Sequence, residues 1–506
     1  MTKAIMVVGT SSHVGKSLLA TALCRIVWEA GWKVAPFKSQ NMSLNAAVTP
    51  DGFEIGRAQA VQARAAGIDP SPHMNPVLLK PTSRHQSQVV LRGVAVGNME
   101  VREYFRGGKQ ALWEAIVGSY EELASRFDVI VIEGAGSPVE MNLKPNDLAN
   151  MRVAEMADAC VILVADIERG GVFASVVGTL QLLDEAERAR VKGIVINKFR
   201  GDPQLFEEGK KWLAERTGVP VLGVIPHVSD LAISEEDSLG LAPRHGAEDA
   251  EATLRIGVVR LPHVANFTDF DPLLYEVGIH LVWVTTPFEM EGLDAVIVPG
   301  SKSTLSDMVW MRTCGLDVAL RKHYDRGGFV LGICGGFQML GERLEDPDQV
   351  ESSVMRTEGL GLLAMETVMT RTKATRWVVA EPIGSFAGEK MKGYEMHMGT
   401  TRVLTEAVQP FARLTLASGE VTSDGAVAKD GRLVGTYLHH LFHNDEWRLR
   451  WLNLIRSAKG MDMATATTSF DRVEEDAIAH FAQVVADNMD IERLFALSGL
   501  GKAVEA

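Results

Sequence analysis

Short apolar runs alternate with helix-like segments along most of the chain, and this alternation constrains the fold more than any other feature. In the first half, such runs occupy residues 5–8, 34–37, 129–132, 161–164, 193–196 and 221–225. Runs of this length without polar alternation are typical of strands buried on both faces of a parallel sheet. Because parallel strands need long crossovers on the sheet faces, the pattern predicts a doubly wound α/β domain.

A break in this pattern divides the chain. Residues 229–253 have the Ser-, Pro- and acid-rich composition of a linker. A second α/β series follows, with apolar runs at 256–259, 281–284, 295–298, 329–332 and 433–437. A length of 506 residues also exceeds what one hydrophobic core usually holds. We predict two doubly wound domains at residues 1–228 and 254–460, the linker 229–253, and a helical tail at 461–506.

Composition narrows the class of protein. The apolar fraction of 46% and the charged fraction of 23% are ordinary for a soluble globular protein. The formal net charge of −14 argues against a general nucleic-acid or membrane-surface binder. The cysteines show neither metal-type spacing nor a disulfide framework, so a reduced, cytoplasmic protein is expected. The N-terminal apolar run is too short for a signal peptide or a membrane span.

The first apolar run leads into a glycine-rich loop, residues 9–17, and then into a helical pattern. Strand, glycine loop, Gly-Lys-Ser and helix is the setting of a P-loop, here a variant with one extra residue between the glycines. In such loops backbone N–H groups and the helix N-terminus surround phosphate oxygens, the lysine adds positive charge, and the serine is an Mg²⁺ ligand. We therefore expect ATP to contact Gly9, Thr10, Gly15, Lys16 and Ser17.

Three further polar residues follow predicted strands at the same sheet edge, where ligands bind in open α/β folds. Glu133 is a candidate Mg²⁺ ligand opposite Ser17, although it could be an exposed strand-end carboxylate. Asn197 is a candidate for contact with the purine edge, and a loop-capping role fits nearly as well. Lys38 can pair with a substrate carboxylate or with the transferring phosphoryl group, the alternative being a solvated lysine.

A second strand-to-helix turn carries a cysteine. Cys334 ends an apolar run and is followed by two glycines and a helical pattern, which is the arrangement of a nucleophile elbow. The helix N-terminus favours the thiolate form of such a cysteine. The backbone N–H of Gly335 and the strand-end turn at Gly300 are the candidate donors of an oxyanion hole.

Cys334 needs a base, and histidines follow the last apolar run of the second domain. His439 is the preferred candidate because it follows a strand that is expected to lie beside the elbow, and His440 and His397 are the alternatives. A large separation in sequence between nucleophile and base is normal for cysteine nucleophiles. The remaining cysteines lie in apolar contexts and are interpreted as packing residues: these are Cys24, Cys160 and Cys314.

These motifs resemble known families. The elbow segment 332–341 is similar to that of class I glutamine amidotransferases, and together with Tyr-Leu-His at 437–439 it resembles the cobalamin-pathway branch of that class. The N-terminal half resembles dethiobiotin-synthetase-like ATPases. The segments that resemble the cobyric acid synthase family are 37–45, 54–60, 74–81, 166–174, 197–202 and 393–399.

This resemblance implies a particular reaction: ATP- and glutamine-dependent amidation of the b, d, e and g carboxylates of adenosylcobyrinic acid a,c-diamide. By matching motif, Lys16 and Lys38 contact phosphoryl and carboxylate groups, and Ser17 and Glu133 serve Mg²⁺. Gln338, within the elbow motif, is assigned with Lys38 to substrate contact. The expected partners are glutamine and a corrinoid, with no nucleic acid or membrane; the oligomeric state is left open.

Several positions depart from the family pattern. Val8 and His13 stand where Gln and commonly Asp are expected, and His440 replaces the glycine of Tyr-Leu-His-Gly. Leu441 occupies the position where ordinary class I enzymes place the Glu of a triad. The sequence therefore predicts either a Cys–His dyad or an acid supplied from elsewhere in the chain.

Two alternative functions remain open at this stage. A cobyrinic acid a,c-diamide synthase would share both modules and amidate other carboxylates, but the runs at 39–45 and 200–202 favour the first interpretation. A partition-type ATPase switch with an inactive glutaminase module would need a lysine near the start of its P-loop, where residues 10–12 have none. An intact Cys334 and His439 also argue against an inactive module.

Overall fold

The computed structural model describes residues 2–82, 86–100, 109–233, 254–428 and 430–501. Most of the predicted linker, residues 234–253, lies outside the described residues, as do residues 502–506 of the predicted tail. Among the described helices, none combines the length and the apolar character needed to cross a bilayer.

The strands of the first half are, in chain order, β1 Lys3–Gly9, β2 Val34–Phe37, β3 Gln40–Met42, β4 Ala46–Val48, β5 Glu54–Gly56, β6 Val77–Pro81, β7 Gln86–Leu91, β8 Val94–Glu100, β9 Val129–Glu133, β10 Cys160–Asp166, β11 Val191–Phe199 and β12 Val221–Pro226. Those of the second half are β13 Leu254–Val259, β14 Ile279–Val284, β15 Ala295–Val298, β16 Phe329–Ile333, β17 Arg343–Glu345, β18 Arg356–Glu358, β19 Met365–Pro382, β20 Met391–Val403, β21 Ala412–Thr415, β22 Val421–Asp424, β23 Ala426–Val427, β24 Leu433–Thr436 and β25 Leu438–His439.

The described α-helices are α1 Lys16–Glu29, α2 Arg57–Ala65, α3 Lys109–Ala124, α4 Met151–Met156, α5 Val172–Leu182, α6 Glu185–Arg190, α7 Glu207–Thr217, α8 Asp271–Leu274, α9 Thr304–Thr313, α10 Leu316–Asp325, α11 Gly335–Met339, α12 Asp445–Ala458, α13 Phe470–Asn488 and α14 Ile491–Leu497.

The first half is built on a parallel sheet of order β12-β11-β10-β1-β9-β2. Each adjacent pair is parallel, and the strand interiors are buried on both sides by helices. Strands β1, β9 and β2 are neighbours, so the residues that follow them lie together at one edge. The predicted doubly wound fold of this half is confirmed, and it brings the P-loop, Glu133 and Lys38 to the same place.

The second half contains another parallel sheet, of order β14-β13-β15-β16-β24-β23, in which only the short edge strand β23 runs antiparallel. Cys334 follows β16. Beside this sheet lies a second one, of order β18-β17-β19-β20-β25, with β21 pairing to β19 and β22 to β21. Its long hairpin β19–β20 was not predicted, because its strands carry alternating polar and half-exposed residues instead of a continuous apolar run.

The two halves are packed against each other through small elements inserted after β2. The β4–β5 hairpin and the sheet of order β3-β6-β7-β8 lie against the β19–β20 hairpin. Their shared apolar cluster contains residues of both halves, namely Ala46, Val48, Leu78, Val90, Tyr394 and Met396. The indole N–H of Trp377 also donates to the carbonyl of Val48 at 2.6 Å.

The C-terminal helices of the chain pack against the first half. Helix α13 packs on α1, and its apolar face, including Ile478, Phe481 and Val485, joins the core beneath β1. An ion pair of Arg64 with Glu474, at 2.6 Å, fastens α13 to α2. The first domain is therefore completed by residues from the far end of the chain.

Replacing Phe481 by Ala should test this packing. The side chain is only 4% exposed, and emptying such a site typically costs about 3 to 5 kcal/mol. Thermal unfolding followed by circular dichroism should show an earlier transition. The exposed Gln483→Ala on the same helix serves as the control, and equal midpoints for both variants would contradict the packing.

Candidate active sites

The P-loop is shaped by glycines that no other residue could replace without backbone movement. A Cβ on Gly9 would lie 2.6 Å from Val14 Cγ2 and 3.0 Å from Lys16 Nζ. Gly15 has φ +95°, and a Cβ there would lie 2.1 Å from Asn197 Nδ2. The loop therefore keeps its backbone close to the lysine, as phosphate binding by backbone N–H groups requires.

Hydrogen bonds to neighbouring backbone carbonyls hold the P-loop and its lysine in place. Lys16 Nζ donates to the carbonyls of Ser11 and Gly136, each at 3.0 Å. The Thr10 amide donates to the Val164 carbonyl at 2.9 Å, which ties the loop to β10. The lysine thus already lies over the loop, where the outer phosphates of a nucleotide would be placed.

Glu133, at the end of β9, accepts hydrogen bonds from several polar groups at this edge of the sheet. Its Oε1 accepts from Lys38 Nζ at 2.9 Å and from Ser17 Oγ at 2.8 Å. Its Oε2 accepts from Gln62 Nε2 at 2.6 Å. Although burial favours the neutral acid, Lys38 and these hydrogen bonds lower the pKa of Glu133, so the carboxylate is ionised at neutral pH.

Two members of this cluster were missed by the sequence analysis. Gln62 and Gln59, the latter 3.5 Å from Glu133 Oε2, are three residues apart on α2. Their spacing places them on one helix face, and this spacing is the sequence feature that could have identified them. Buried glutamines opposite a P-loop were not recognised because amides on a helix are usually solvent-facing.

The structure places Asn197 against the P-loop. Its Nδ2 donates to the Val14 carbonyl at 2.8 Å, and the adjacent Lys198 donates from Nζ to the His13 carbonyl at 2.7 Å. Asn197 therefore supports the loop conformation. Contact between Asn197 and a purine ring stays a prediction.

The residues at this edge fit a magnesium ion that is held together with a nucleotide. Mg²⁺ usually takes one or two protein oxygens and completes its shell with phosphate oxygens and water. In the described ranges, no group of three or more His, Cys, Asp or Glu side chains forms a metal cage. Ser17 and the ionised Glu133 supply oxygens of the required kind beside the phosphate loop.

The second site is a strained turn. Cys334 has φ 52° and ψ −111°, between β16 and α11, and its side chain is 8% exposed. A Cβ on Gly336 would lie 1.9 Å from the Val298 carbonyl oxygen, so only glycine fits there. A non-glycine residue with positive φ stores strain and is typical of a nucleophile on an elbow.

His439 is the histidine that faces this cysteine. Its Nδ1 lies 2.6 Å from Asp269 Oδ2, and both side chains are 2% exposed. Although burial favours the neutral ring, the Asp269 carboxylate and the Cys334 thiol raise the pKa of His439 to about 10. The arrangement therefore favours an imidazolium beside the sulfur at neutral pH.

Asp269 was not found in the sequence analysis. It lies in the 3-10 turn Phe267–Phe270, far from His439 in sequence, and it also accepts from the His440 amide at 3.1 Å. The sequence feature that could have identified Asp269 is an acidic residue that lies between two phenylalanines and follows an apolar strand. The acid that Leu441 does not provide is thus available from another element.

The alternative histidines have other surroundings. His440 stacks on His443 with ring centroids 3.8 Å apart, and burial with the nearby Arg57 lowers the pKa of His440 to about 4. His397 stacks on Tyr437 at 3.7 Å, with its Nε2 3.7 Å from Glu395. The His440 ring is therefore neutral at neutral pH, and the His397 ring is positioned by Tyr437 and Glu395.

Both predicted oxyanion turns lie at the cysteine. A Cβ on Gly300 would lie 3.6 Å from Cys334 Cβ and 3.3 Å from His439 Cε1. A Cβ on Gly335 would lie 2.9 Å from the backbone nitrogen of Ser301. Backbone N–H groups of the two turns can therefore converge beside the sulfur, as an oxyanion hole requires. Their roles as donors stay predictions.

Gln338 supports the wall of this site. Its Nε2 donates to the Met398 carbonyl at 2.9 Å and to Tyr437 Oη at 3.2 Å. Its Oε1 accepts from Thr304 Oγ1 at 3.3 Å. These bonds engage both ends of the side-chain amide with protein groups, and a contact of Gln338 with substrate stays a prediction.

A P-loop domain joined to a domain with a Cys–His–Asp elbow defines an ATP-dependent, glutamine-hydrolysing amidotransferase. Residues 5–241 match the model of the CobQ/CobB/MinD/ParA nucleotide binding domain. Residues 255–447 match that of the CobB/CobQ-like glutamine amidotransferase domain.

Curated relatives give the family. A cobyric acid synthase of Moorella thermoacetica is 46% identical, covering 99% of this chain and 98% of the relative. Those of Syntrophobacter fumaroxidans and Synechocystis are 45% and 47% identical, each covering at least 97% of both chains. The chain belongs to the cobyric acid synthase family.

Replacing Asp269 by Asn should lower glutamine hydrolysis by about 10² to 10⁴-fold, because loss of the carboxylate misorients His439 and destabilises its cation. The pKa of His439, now about 10, should fall. Since the imidazolium exists only below that pKa, the alkaline limb of the pH profile of glutamate release should move to lower pH. The exposed Asp325→Asn is the control; an unmoved limb in Asp269→Asn would contradict the assignment.

Replacing His440 by Gly should leave glutamine hydrolysis within a few-fold of the wild type. His440 has φ +69°, a left-handed backbone that glycine adopts without the cost of about 1 to 2 kcal/mol paid by other residues. The matched His439→Gly should lose about 10²-fold or more. Glutamate release under saturating glutamine distinguishes the two, and the reverse ranking would make His440 the base.

Proposed function

We propose that this protein amidates the b, d, e and g carboxylates of adenosylcobyrinic acid a,c-diamide, giving adenosylcobyric acid, with glutamine as nitrogen donor and ATP as activator. The observation that carries the proposal is the presence of both sites in one chain that is 45–47% identical to cobyric acid synthases over nearly its whole length. Its substrates are small molecules, and the free cysteines of the described residues agree with a cytoplasmic enzyme.

The glutaminase half-reaction follows from the Cys334 site. The Cys334 thiolate attacks the side-chain amide carbon of glutamine, and the oxyanion forms between the turns of Gly300 and Gly335. The His439 imidazolium, held by Asp269, protonates the departing ammonia. Water, deprotonated by the then neutral His439, hydrolyses the thioester and releases glutamate.

The amide-forming half-reaction takes place at the P-loop. ATP supplies a phosphoryl group that converts a carboxylate into an acyl phosphate. Ser17 and Glu133 would hold Mg²⁺, which would offset the negative charge of the phosphates. Lys16 and Lys38 balance the negative charge of the phosphoryl group and the carboxylate. Ammonia then attacks the acyl carbon and phosphate leaves. Because ammonium does not attack, ammonia must reach this site unprotonated.

The direct test is mass spectrometry of purified enzyme incubated with cobyrinic acid a,c-diamide, ATP, Mg²⁺ and glutamine. Successive amides should appear until b, d, e and g are all converted. An enzyme that instead amidates cobyrinic acid itself at a and c, and leaves the diamide unchanged, would be the sister synthase. The absence of ATP-dependent amidation of either corrinoid would overturn the proposal.

Replacing Cys334 by Ala should abolish amidation with glutamine but preserve amidation with ammonium chloride at alkaline pH. The variant removes the thiolate and leaves the P-loop site unchanged. The partly buried Cys314→Ala should retain both activities. Loss of ammonia-driven amidation in Cys334→Ala would argue against two separable sites.

A further inference from the structure

The cavity beside Cys334 is lined by charged side chains that have no role in the thiol chemistry described above. Its lining includes the side chains of Lys80, Lys302, Lys373 and Glu351, together with Cys334 itself. Buried charges are expensive unless each is paired or meets a charged ligand. The pairing of each charged group therefore indicates which ones are available to a substrate.

Two of the three lysines are paired with one carboxylate. Lys80 Nζ lies 2.6 Å from Glu54 Oε1, and Lys373 Nζ forms a short contact with Glu54 Oε2. Both oxygens of Glu54 are thus engaged. These two ammonium groups form a charged wall of the cavity, and each has an ion-pair partner within the protein, although Glu54 offsets only one of their two positive charges.

Lys302 is different. Its side chain is 7% exposed and faces the cavity, and within the described ranges no hydrogen bond or ion pair is found for its ammonium group. Burial lowers the pKa of Lys302, whereas the nearby Glu351 and Cys334 oppose this effect. An anionic group entering the cavity would supply the missing partner.

Glu351 is the acidic residue that lines the same cavity as Lys302. It is 9% exposed, and burial raises its pKa, with Lys302 opposing. Its loop is fixed by Asp346, whose carboxylate accepts from the Val350 amide at 2.7 Å and from the Glu351 amide at 3.0 Å. The Glu351 carboxylate accepts from the Thr304 amide at 3.3 Å. In the described structure Lys302 and Glu351 influence each other without forming an ion pair.

We propose that Lys302 and Glu351 are the subsite for the head group of glutamine, binding its α-carboxylate and its α-ammonium respectively. The inference rests on the glutaminase activity proposed above. A free amino acid carries both charges on one carbon, so it can bridge a cation and an anion that face one cavity but do not pair. Lys302, Glu351 and Cys334 line the same cavity, so a molecule held by the first two side chains lies in the cavity that contains the sulfur.

The experiment compares three amides as donors of ammonia: glutamine, 4-aminobutanamide, which lacks the α-carboxylate, and glutaramic acid, which lacks the α-ammonium. Lys302→Met should raise KM for glutamine by about ten- to a hundredfold, the usual effect of losing a charged hydrogen bond, and leave kcat within a few-fold. Its kcat/KM for 4-aminobutanamide should equal that of the wild type. Glu351→Gln should show the same pattern with glutaramic acid as the insensitive donor.

Controls separate this inference from misfolding and from failure of the function. Lys302→Arg should retain most of the affinity for glutamine, and the exposed Lys322→Met and Glu342→Gln should behave as wild type. Ammonia-driven amidation should be unchanged in every variant. If Lys302→Met lowers kcat equally for all three donors, Lys302 stabilises the oxyanion and the subsite assignment is wrong. Unchanged kinetics in both variants would overturn it too, whereas a wild type inactive on glutamine would overturn the proposed function itself.

Discussion

The buried carboxylate of Glu54 is the interaction on which the two-site arrangement depends. It lies on β5 of the first half and binds Lys80 of the same half and Lys373 of the β19–β20 hairpin in the second. Although burial favours the neutral acid, these lysines lower the pKa of Glu54 to about 2, so it is charged at neutral pH. Removing one partner of such a buried group typically costs about 3 to 5 kcal/mol. The cluster therefore fixes how the halves meet, and it closes one wall of the cavity beside Cys334.

Helix α2 connects the same interface to both reaction centres. At its start, Arg57 donates to the hydroxyl of Tyr394 at 2.9 Å, and the Tyr394 ring stacks on His439 with centroids 5.2 Å apart. Further along, Gln62 donates to Glu133 at the P-loop. One short helix thus contributes to the surroundings of the imidazole in one site and of the carboxylate in the other. The domain contact is part of the architecture of each site.

Much of this could be predicted from the sequence. The buried strands are apolar runs, so both parallel sheets and the residues at their carboxyl ends, including Cys334 and Glu133, followed from local pattern. The hairpin β19–β20 did not, since half-exposed strands carry mixed residues. Asp269 did not either, because it meets His439 across 170 positions of sequence. Such contacts are set by packing between elements, and no local spacing encodes them.

The sequence by itself determined the two strand-end turns. Gly15 is required because the backbone there has a positive φ. Gly336 is required because an added Cβ would lie 1.9 Å from a carbonyl oxygen. Only the tertiary structure decided which histidine faces the cysteine. Adjacent residues point in different directions, and the pairing of His439 with Tyr394 in the second sheet turns that ring, and not His440, toward Asp269 and the sulfur. That choice depends on elements far apart in the chain, whose positions are fixed only once both halves have packed.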